Sequence, residues 1–363
     1  MIRVLGIETS CDETAIGIVG DGRAMLSNIV ASSLALHGPY GGVIPEIAAR
    51  AHVETIWQVL AQALAEAGCS PEEIDAIAVT QGPGLPGALL IGVAFAKGLA
   101  LALDRPLIPV DHLAAHLYAG EMTEPSLQPP YIGLVVSGGH TVLCVAHQDC
   151  RFEVLGETKD DAVGEAFDKV AKLLGLGYPG GPIIDQLSEE GQATAVKLPR
   201  VQTKGTFDFS FSGLKTAVFQ YVQKLGESSR LKTQGPRQTP AFPATHRGGS
   251  ATPCGGSLQP SQTADIAASF QETAVDMLIA KTLKACQRTG MKRLVVGGGV
   301  ASNRRLRQKF AEVAAAEKLQ VVFPPPALCV DNGAMIAGIG FPLLQKGRVA
   351  ELTMAPDSNL CLA

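Results

Sequence analysis

The chain has 363 residues, 46% hydrophobic and 18% charged, with a mean hydropathy of +0.20, which leaves room for roughly two domains of ~150 residues and excludes a disordered chain. Aromatic residues make up 5%, which argues against an aromatic stacking platform, whereas 40 glycines suggest many tight turns and close backbone approaches. The net charge of −4 conceals an asymmetry: residues 1–150 hold 5 Lys/Arg and 15 Asp/Glu, a net of −10, while residues 151–363 hold 25 and 19, a net of +6.

Along the chain, Ile2–Ile7, Ala15–Val19 and Ala24–Ala31 read as a meander of three strands, from apolar runs separated by polar turns. A helix is predicted from Pro45 to Ala67, with Ile47, Ala51, Ile56, Val59, Leu60 and Ala63 at helical spacing. Strand Ala76–Thr80, helix Pro86–Leu103, strand Leu107–Val110 and helix Leu113–Glu121 follow. The pattern then restarts. Tyr131–Val136, Thr141–Ala146 and Phe152–Gly156 form a second meander. Helices are predicted near Asp161–Leu174, Ile183–Glu190, Gly213–Leu225 and Thr263–Arg288. Strand Arg293–Val296, helix Ser302–Ala316, strand Gln320–Phe323 and helix Asn332–Gln345 complete the chain. Two β-β-β-α-β-α halves imply a duplicated α/β unit with a central cleft, the kind of crevice nucleotide-type ligands favour.

Ser228–Gln262 stands apart. Of its 35 residues, 23 are Pro, Gly, Ser, Thr or Gln; it has four Lys/Arg and no acid, so it reads as a disordered basic insertion. The segment Leu85–Leu103 has the length of a membrane span, but Pro86, Lys97 and three glycines interrupt it, and a buried helix is predicted. No C-x-x-C pair occurs among eight cysteines, and the N-terminus reaches Asp12-Glu13 too early for a secretory signal. A cytoplasmic protein with no membrane association is expected. On it, a polyanion would be drawn to the second half and repelled by the first.

The sharpest chemical signal is Asp111-His112-Leu113-Ala114-Ala115-His116. Histidines at i and i+4 share one helix face and could share a metal, though bare pairs also occur by chance. Leu113 stands where a zincin protease needs its Glu base, so that chemistry is disfavoured. Asp331 could supply a third ligand or simply cap the last helix. Glycine turns at Ser137-Gly138-Gly139, Pro179-Gly180-Gly181-Pro182 and Gly297-Gly298-Gly299 could each present backbone N–H groups to an anion. None is a Walker A or G-x-G-x-x-G fingerprint. Asp12 draws interest because it lies in a strand-to-strand turn beside the expected cleft.

Taken together, GIETSCDETA (6–15), HGPYGGVIPEIAARAH (37–52), QGPGLPGALLIG (81–92), DHLAAH (111–116), LVVSGGHT (134–141), GEAFDKVAKLLGLGYPGGP (164–182), FSFSGLKTA (209–217), GGGVASNRRLR (297–307) and DNGAMIA (331–337) resemble the TsaD family of tRNA N6-adenosine threonylcarbamoyltransferases. The likeness runs in order from residue 3 to about 345, apart from 228–262. It implies a two-lobed, actin-like and sugar-kinase-like fold. The lobes would be 1–110 plus about 331–363, and 111–330. It further implies transfer of threonylcarbamoyl from threonylcarbamoyl-AMP to adenosine 37 of tRNAs reading codons that begin with A. By motif, His112, His116 and Asp331 would hold one divalent metal per subunit, Fe2+ or Zn2+. Substrate contacts would fall on Val135, Val136, Ser137, Gly138, Gly139, Asp168, Gly181, Asp185 and Asn303, with Asp12 or Glu13 as the base. TsaB and TsaE would be the protein partners, since DHLAAH resembles the bacterial branch. Two readings from other classes are an actin-like nucleotide-binding scaffold and the old metalloprotease label.

Overall fold

The computed structural model describes residues 1–200, 205–233 and 258–363. The first half runs β1 (Arg3–Glu8), β2 (Glu13–Gly20), β3 (Ala24–Ser32), α1 (Leu34–His37), α2 (Pro45–Ala67), β4 (Ala76–Gly82), α3 (Pro86–Leu103), β5 (Leu107–Asp111) and α4 (His112–Thr123). The second runs β6 (Tyr131–Val136), β7 (Thr141–Ala146), β8 (Phe152–Glu157), α5 (Val163–Leu173), α6 (Gly180–Leu187), α7 (Ser212–Thr233), α8 (Pro260–Thr289), β9 (Arg293–Gly297), α9 (Arg304–Glu317), β10 (Gln320–Val322), α10 (Pro326–Cys329) and α11 (Gly333–Gln345).

Each half makes a five-stranded sheet, ordered β3-β2-β1-β4-β5 and β8-β7-β6-β9-β10. In both, the first three strands form an antiparallel meander, the fourth pairs in parallel with the first, and the fifth in parallel with the fourth. The duplication expected from the strand pattern is therefore a duplication of topology, a mixed α/β architecture. The central strands β1, β4 and β6 are buried along nearly their whole length, which is why their sequences are continuous apolar runs rather than alternating ones.

Helix boundaries follow local chemistry. α2 opens with Pro45 at its first position and closes at Gly68 in the left-handed conformation, burying Ala48, His52, Ile56, Val59, Leu60 and Ala63 as one stripe. Asp111 caps α4, accepting from Ala114 N–H, and Asn332 caps α11, accepting from Met335 N–H. The capping role left open for Asp331 thus belongs to its neighbour. α3, among the described residues the helix long and apolar enough to cross a membrane, buries Ala88, Leu89, Gly92, Val93, Ala96 and Ala100.

α4 and α11 hold the halves together. α11 closes the second half in sequence yet lies on the first sheet, so tightly that a Cβ on Gly6 would fall 2.2 Å from Ala337 N. α4 follows the first sheet yet shares a core with the second: Leu117, Val135, Val295 and Val322 belong to one buried cluster with Met335 and Ile339 of α11. The C-terminal tail returns to the first sheet, where Ala350 N–H donates to Leu107 O and Asp357 N–H to Gln81 O.

Two expectations need correction. The insertion was expected to start at Ser228 and end at Gln262, but α7 continues to Thr233 and α8 begins at Pro260. The cause at the latter end is local: Pro260 at the first helical position and a Gln259–Gln262 capping box start α8 early. The rest of that insertion, 234–257, lies outside the described residues. The helix expected over Ile183–Glu190 begins instead at Gly180, because Asp168 on α5 accepts the Gly180 N–H at 2.7 Å and ties down the first turn.

Candidate active site

β5 delivers Asp111 as a cap, so the first turn of α4 places His112 and His116 one above the other, ring centroids 4.6 Å apart. Asp331 comes from the turn before α11, with Oδ1 3.2 Å from His116 Nε2 and 3.5 Å from His112 Nε2. The ligand atoms of the three residues lie within 4.8 Å of one another. The pair predicted from i,i+4 spacing and the acid more than two hundred residues away therefore meet.

The donor set suits a metal. Glu8, wholly buried at the end of β1, lies with Oε2 2.9 Å from His112 Nδ1. A carboxylate accepts, so Nδ1 carries the proton and Nε2 is turned toward Asp331, the carboxylate–histidine arrangement that orients metal-bound imidazoles. Thr80 Oγ1 donates to the same Glu8 carboxylate at 2.6 Å. His116 is also wholly buried, and neither ring nitrogen makes a well-oriented hydrogen bond. Such orphaned polar atoms are costly unless a ligand meets them. Two imidazoles and one carboxylate with open positions fit an ion of the zinc or iron type. These three residues could hold a metal ion.

The charges are strongly coupled. Burial raises the Asp331 carboxyl, but His112 and then His116 outweigh it and hold the group down at about 2. Burial lowers His112, yet Glu8 and Asp331 raise it to about 9. A proton on His112 Nε2 and a divalent cation are thus alternatives serving the same two carboxylates. His140, at the end of the Ser137 turn, is lowered to about 4 by burial and by the charge of His112 and His116, so it faces the triad as a neutral imidazole.

The β1–β2 turn adjoins this triad. Asp12 is buried, and burial raises the Glu13 carboxyl to about 9, helped by the charges of Asp331 and Asp12. Burial and the neighbouring carboxylates thus favour the protonated form of Glu13.

Of the remaining predicted residues, Val135–Gly139 lie at the C-terminal end of β6, Asp168 lies on α5, Gly181 and Asp185 on α6, and Asn303 just before α9. Val135 and Val136 are fully buried, backbone included, and so line the turn from beneath. Ser137 Oγ accepts from His140 N–H at 3.0 Å, while Gly138 and Gly139 are exposed at the turn. Gly298, at φ +92°, lets the β9 turn pass the β6 end, since a Cβ there would sit 2.4 Å from Val136 O. Asp168 binds the first turn of α6, where Gly181 is open to the surroundings. Asp185 pairs with Arg304 Nε at 2.8 Å. Asn303 caps α9 through Leu306 N–H at 2.9 Å and donates Nδ2–H to Gln271 Oε1 at 2.7 Å.

Sequence reasoning missed Glu8, His140 and Tyr178. A buried carboxylate at a strand end carries no signal in one sequence, and His140 was read only as part of a glycine turn. Tyr178 is raised by burial and by the charges of Asp168 and Asp12, which places it near carboxylates of both halves.

Solved structures of low sequence identity share this architecture. HypF from T. kodakarensis matches at TM-score 0.57 and 15% identity, covering 95% of this chain and 48% of that one. Component A of the (R)-2-hydroxyglutaryl-CoA dehydratase from Acidaminococcus fermentans matches at 0.50 and 14%, covering 94% and 98%. The protein has the duplicated, actin-like ATPase and kinase fold.

Sequence comparison is more specific. Residues 24–338 match the family model of TsaD, tRNA N6-adenosine threonylcarbamoyltransferase. Proteins with that name from Symbiobacterium thermophilum and Staphylococcus aureus strain MRSA252 are each 47% identical, over 95% and 99% of this chain and 92% and 97% of their own lengths. The chain belongs to the TsaD family of tRNA N6-adenosine threonylcarbamoyltransferases. It is a transferase whose substrate is tRNA and whose product is N6-threonylcarbamoyladenosine; neither the nucleotide-binding scaffold nor the metalloprotease is favoured.

Proposed function

We propose that the donor is threonylcarbamoyl-AMP and the acceptor is adenosine 37 of tRNAs reading codons that begin with A. The observation that carries this reading is the meeting of His112, His116 and Asp331 beside the Gly297–Gly299 turn, where a Cβ on Gly297 would lie 2.5 Å from His116 O. His112 and His116 Nε2 and an Asp331 carboxylate oxygen would hold one divalent ion, Fe2+ or Zn2+. When bound, such an ion neutralises negative charge developing on a phosphate or carbonyl oxygen.

The chain's own residues do the rest. Backbone N–H groups of the Ser137–Gly139 and Gly298–Gly299 turns receive the anionic adenylate, and Asp168, Gly181, Asp185 and Asn303 fix the walls of that pocket. The donor is a mixed anhydride, so its carbonyl is already activated. The adenine N6 forms the new C–N bond, the C–O bond to phosphate breaks, and AMP leaves. Asp12 takes the N6 proton, while Glu13 keeps its own and donates a hydrogen bond.

The division into lobes, 1–110 with about 331–363 against 111–330, is supported by α11 and the C-terminal tail returning to the first sheet. Its cleft would lie between Asp12 and the glycine turns. Exposed Val53 and Trp57 on α2, with Leu90 and Leu101 on α3, offer an apolar surface for a protein partner, in keeping with TsaB and TsaE as co-workers in the cytoplasm. Incubating the protein and these partners with tRNA and threonylcarbamoyl-AMP, then digesting the tRNA for mass spectrometry, tests the reading. Formation of the modified nucleoside with equimolar AMP supports it. AMP without modified tRNA overturns it.

A further inference from the structure

The β1–β2 turn is held from behind by two histidines that the mechanism does not use. His37, at the end of α1, and His52, in α2, are both wholly buried. His52 Nε2 lies 3.0 Å from Cys11 O, and its Nδ1 lies 2.7 Å from Thr14 Oγ1. A carbonyl only accepts, so His52 carries its proton on Nε2, and Nδ1 takes the Thr14 hydroxyl hydrogen. His37 is specified as fully. Ile44 N–H donates to its Nδ1 at 3.2 Å, which leaves the proton on Nε2, 3.1 Å from Ser33 Oγ. Ser33 Oγ in turn donates to Asp12 O at 2.8 Å, and Ser33 N–H reaches the same oxygen at 2.9 Å.

Every donor in these two relays thus has one acceptor, and both end on consecutive carbonyls of one turn. Burial alone demands that both ring nitrogens be matched; what sets these two histidines apart is that both relays end on the Cys11 and Asp12 carbonyls of this turn. The front of the same turn carries Asp12 and Glu13 beside Asp331. Fixing the Cys11 and Asp12 carbonyls at the back fixes the peptide planes that aim those side chains. The outer end of the His37 relay is also informative. Ile44 closes the loop from Gly38, and a Cβ on Gly41 in that loop would lie 3.5 Å from Lys172 Nζ of α5, in the second half.

We infer that His37 and His52 are positioning residues for the transfer reaction: as neutral imidazoles protonated on Nε2, they clamp the Cys11 and Asp12 carbonyls and aim the Asp12–Glu13 turn at the His112–His116–Asp331 triad. This rests on the proposed part of that turn in the transfer. Neither histidine touches the reacting atoms.

The test compares His52→Leu, His52→Gln, Ser33→Ala and Asp12→Asn in the tRNA modification assay, with metal content and thermal unfolding measured on each. Gln keeps a donor at the position of Nε2; Leu removes it. His52→Leu is expected to lower kcat roughly 10–100-fold, the size of effect seen when an outer hydrogen-bond partner is lost. KM for tRNA and bound metal should stay unchanged, and His52→Gln should recover most of the rate. Ser33→Ala should lose roughly 2–10-fold in kcat, as for one neutral hydrogen bond. If His52→Leu fails to fold, Ser33→Ala decides the matter. Wild-type kcat in Ser33→Ala, a His52→Gln as slow as His52→Leu, or a rate loss that tracks metal loss each overturn the inference. Full activity in Asp12→Asn overturns the underlying reading of the turn as well. Loss in Asp12→Asn with wild-type rates in the histidine-side variants overturns this inference alone.

Discussion

The two halves share one topology but have opposite chemistry at equivalent turns. The β1–β2 turn of the first sheet carries Asp12 and Glu13, with its carbonyls clamped from behind by His52 and Ser33. The β6–β7 turn of the second sheet carries Ser137, whose N–H is tied to His140 O, and the exposed Gly138 and Gly139. One turn carries acids and the other glycines, so under the proposed function the duplicated scaffold would supply a proton-handling side and an anion-binding side. The helices that close the halves are used alike. α4 contributes His112 and His116 just after its cap, and the turn before α11 contributes Asp331 just before its cap.

The largest way to break this contrast is at Glu8, which is buried and accepts the hydrogen bond of His112 Nδ1–H. Glu8→Gln should weaken metal binding roughly 10–100-fold, with tRNA affinity unchanged, in a titration followed by elemental analysis. Unaltered metal affinity would remove Glu8 from the centre. A smaller effect is expected on the other side. Gly298→Ala puts a Cβ into Val136 O at a positive φ, which should cost about 1–2 kcal/mol in stability. Thermal unfolding should report that loss, and donor KM should rise while tRNA affinity holds. A donor KM equal to wild type would place the adenylate elsewhere.

The smallest expected effect lies outside the site and concerns the second half's positive charge. Deleting 234–257 removes Arg237 and Arg247. If both meet phosphate, the slope of log tRNA affinity against log salt should become shallower by about 1.4, at ~0.7 per contact. An unchanged slope makes the segment an inert insertion.

Much of this contrast was legible in the sequence. α2 and α3 fall where Pro45, Gly68 and Pro86 predict them, and the repeated strand pattern carries the duplication. Motif likeness brought out His112, His116 and Asp331 although the acid is remote in sequence. Four-residue helices such as α1 and α10 were missed because they hold too few residues for a period. Glu8 and the His37 and His52 relays were missed for a different reason: their roles consist of hydrogen-bond partners supplied by distant segments. Asp160 is a further instance. It stands in the sequence as one acid of an Asp160-Asp161 pair with no marked role, yet it accepts from Phe211 N–H and the Ser210 and Ser212 hydroxyls, holding the start of α7.

The proposed centre would hold one divalent ion between α4 and the turn before α11. Its most direct test is elemental analysis of the purified wild type and His116→Ala, paired with the tRNA modification assay and circular dichroism on the same samples. About one divalent ion per chain in the wild type is predicted, with metal and transfer both lost in the variant and its secondary structure retained. Full metal occupancy in His116→Ala, or unimpaired transfer without metal, would contradict the account.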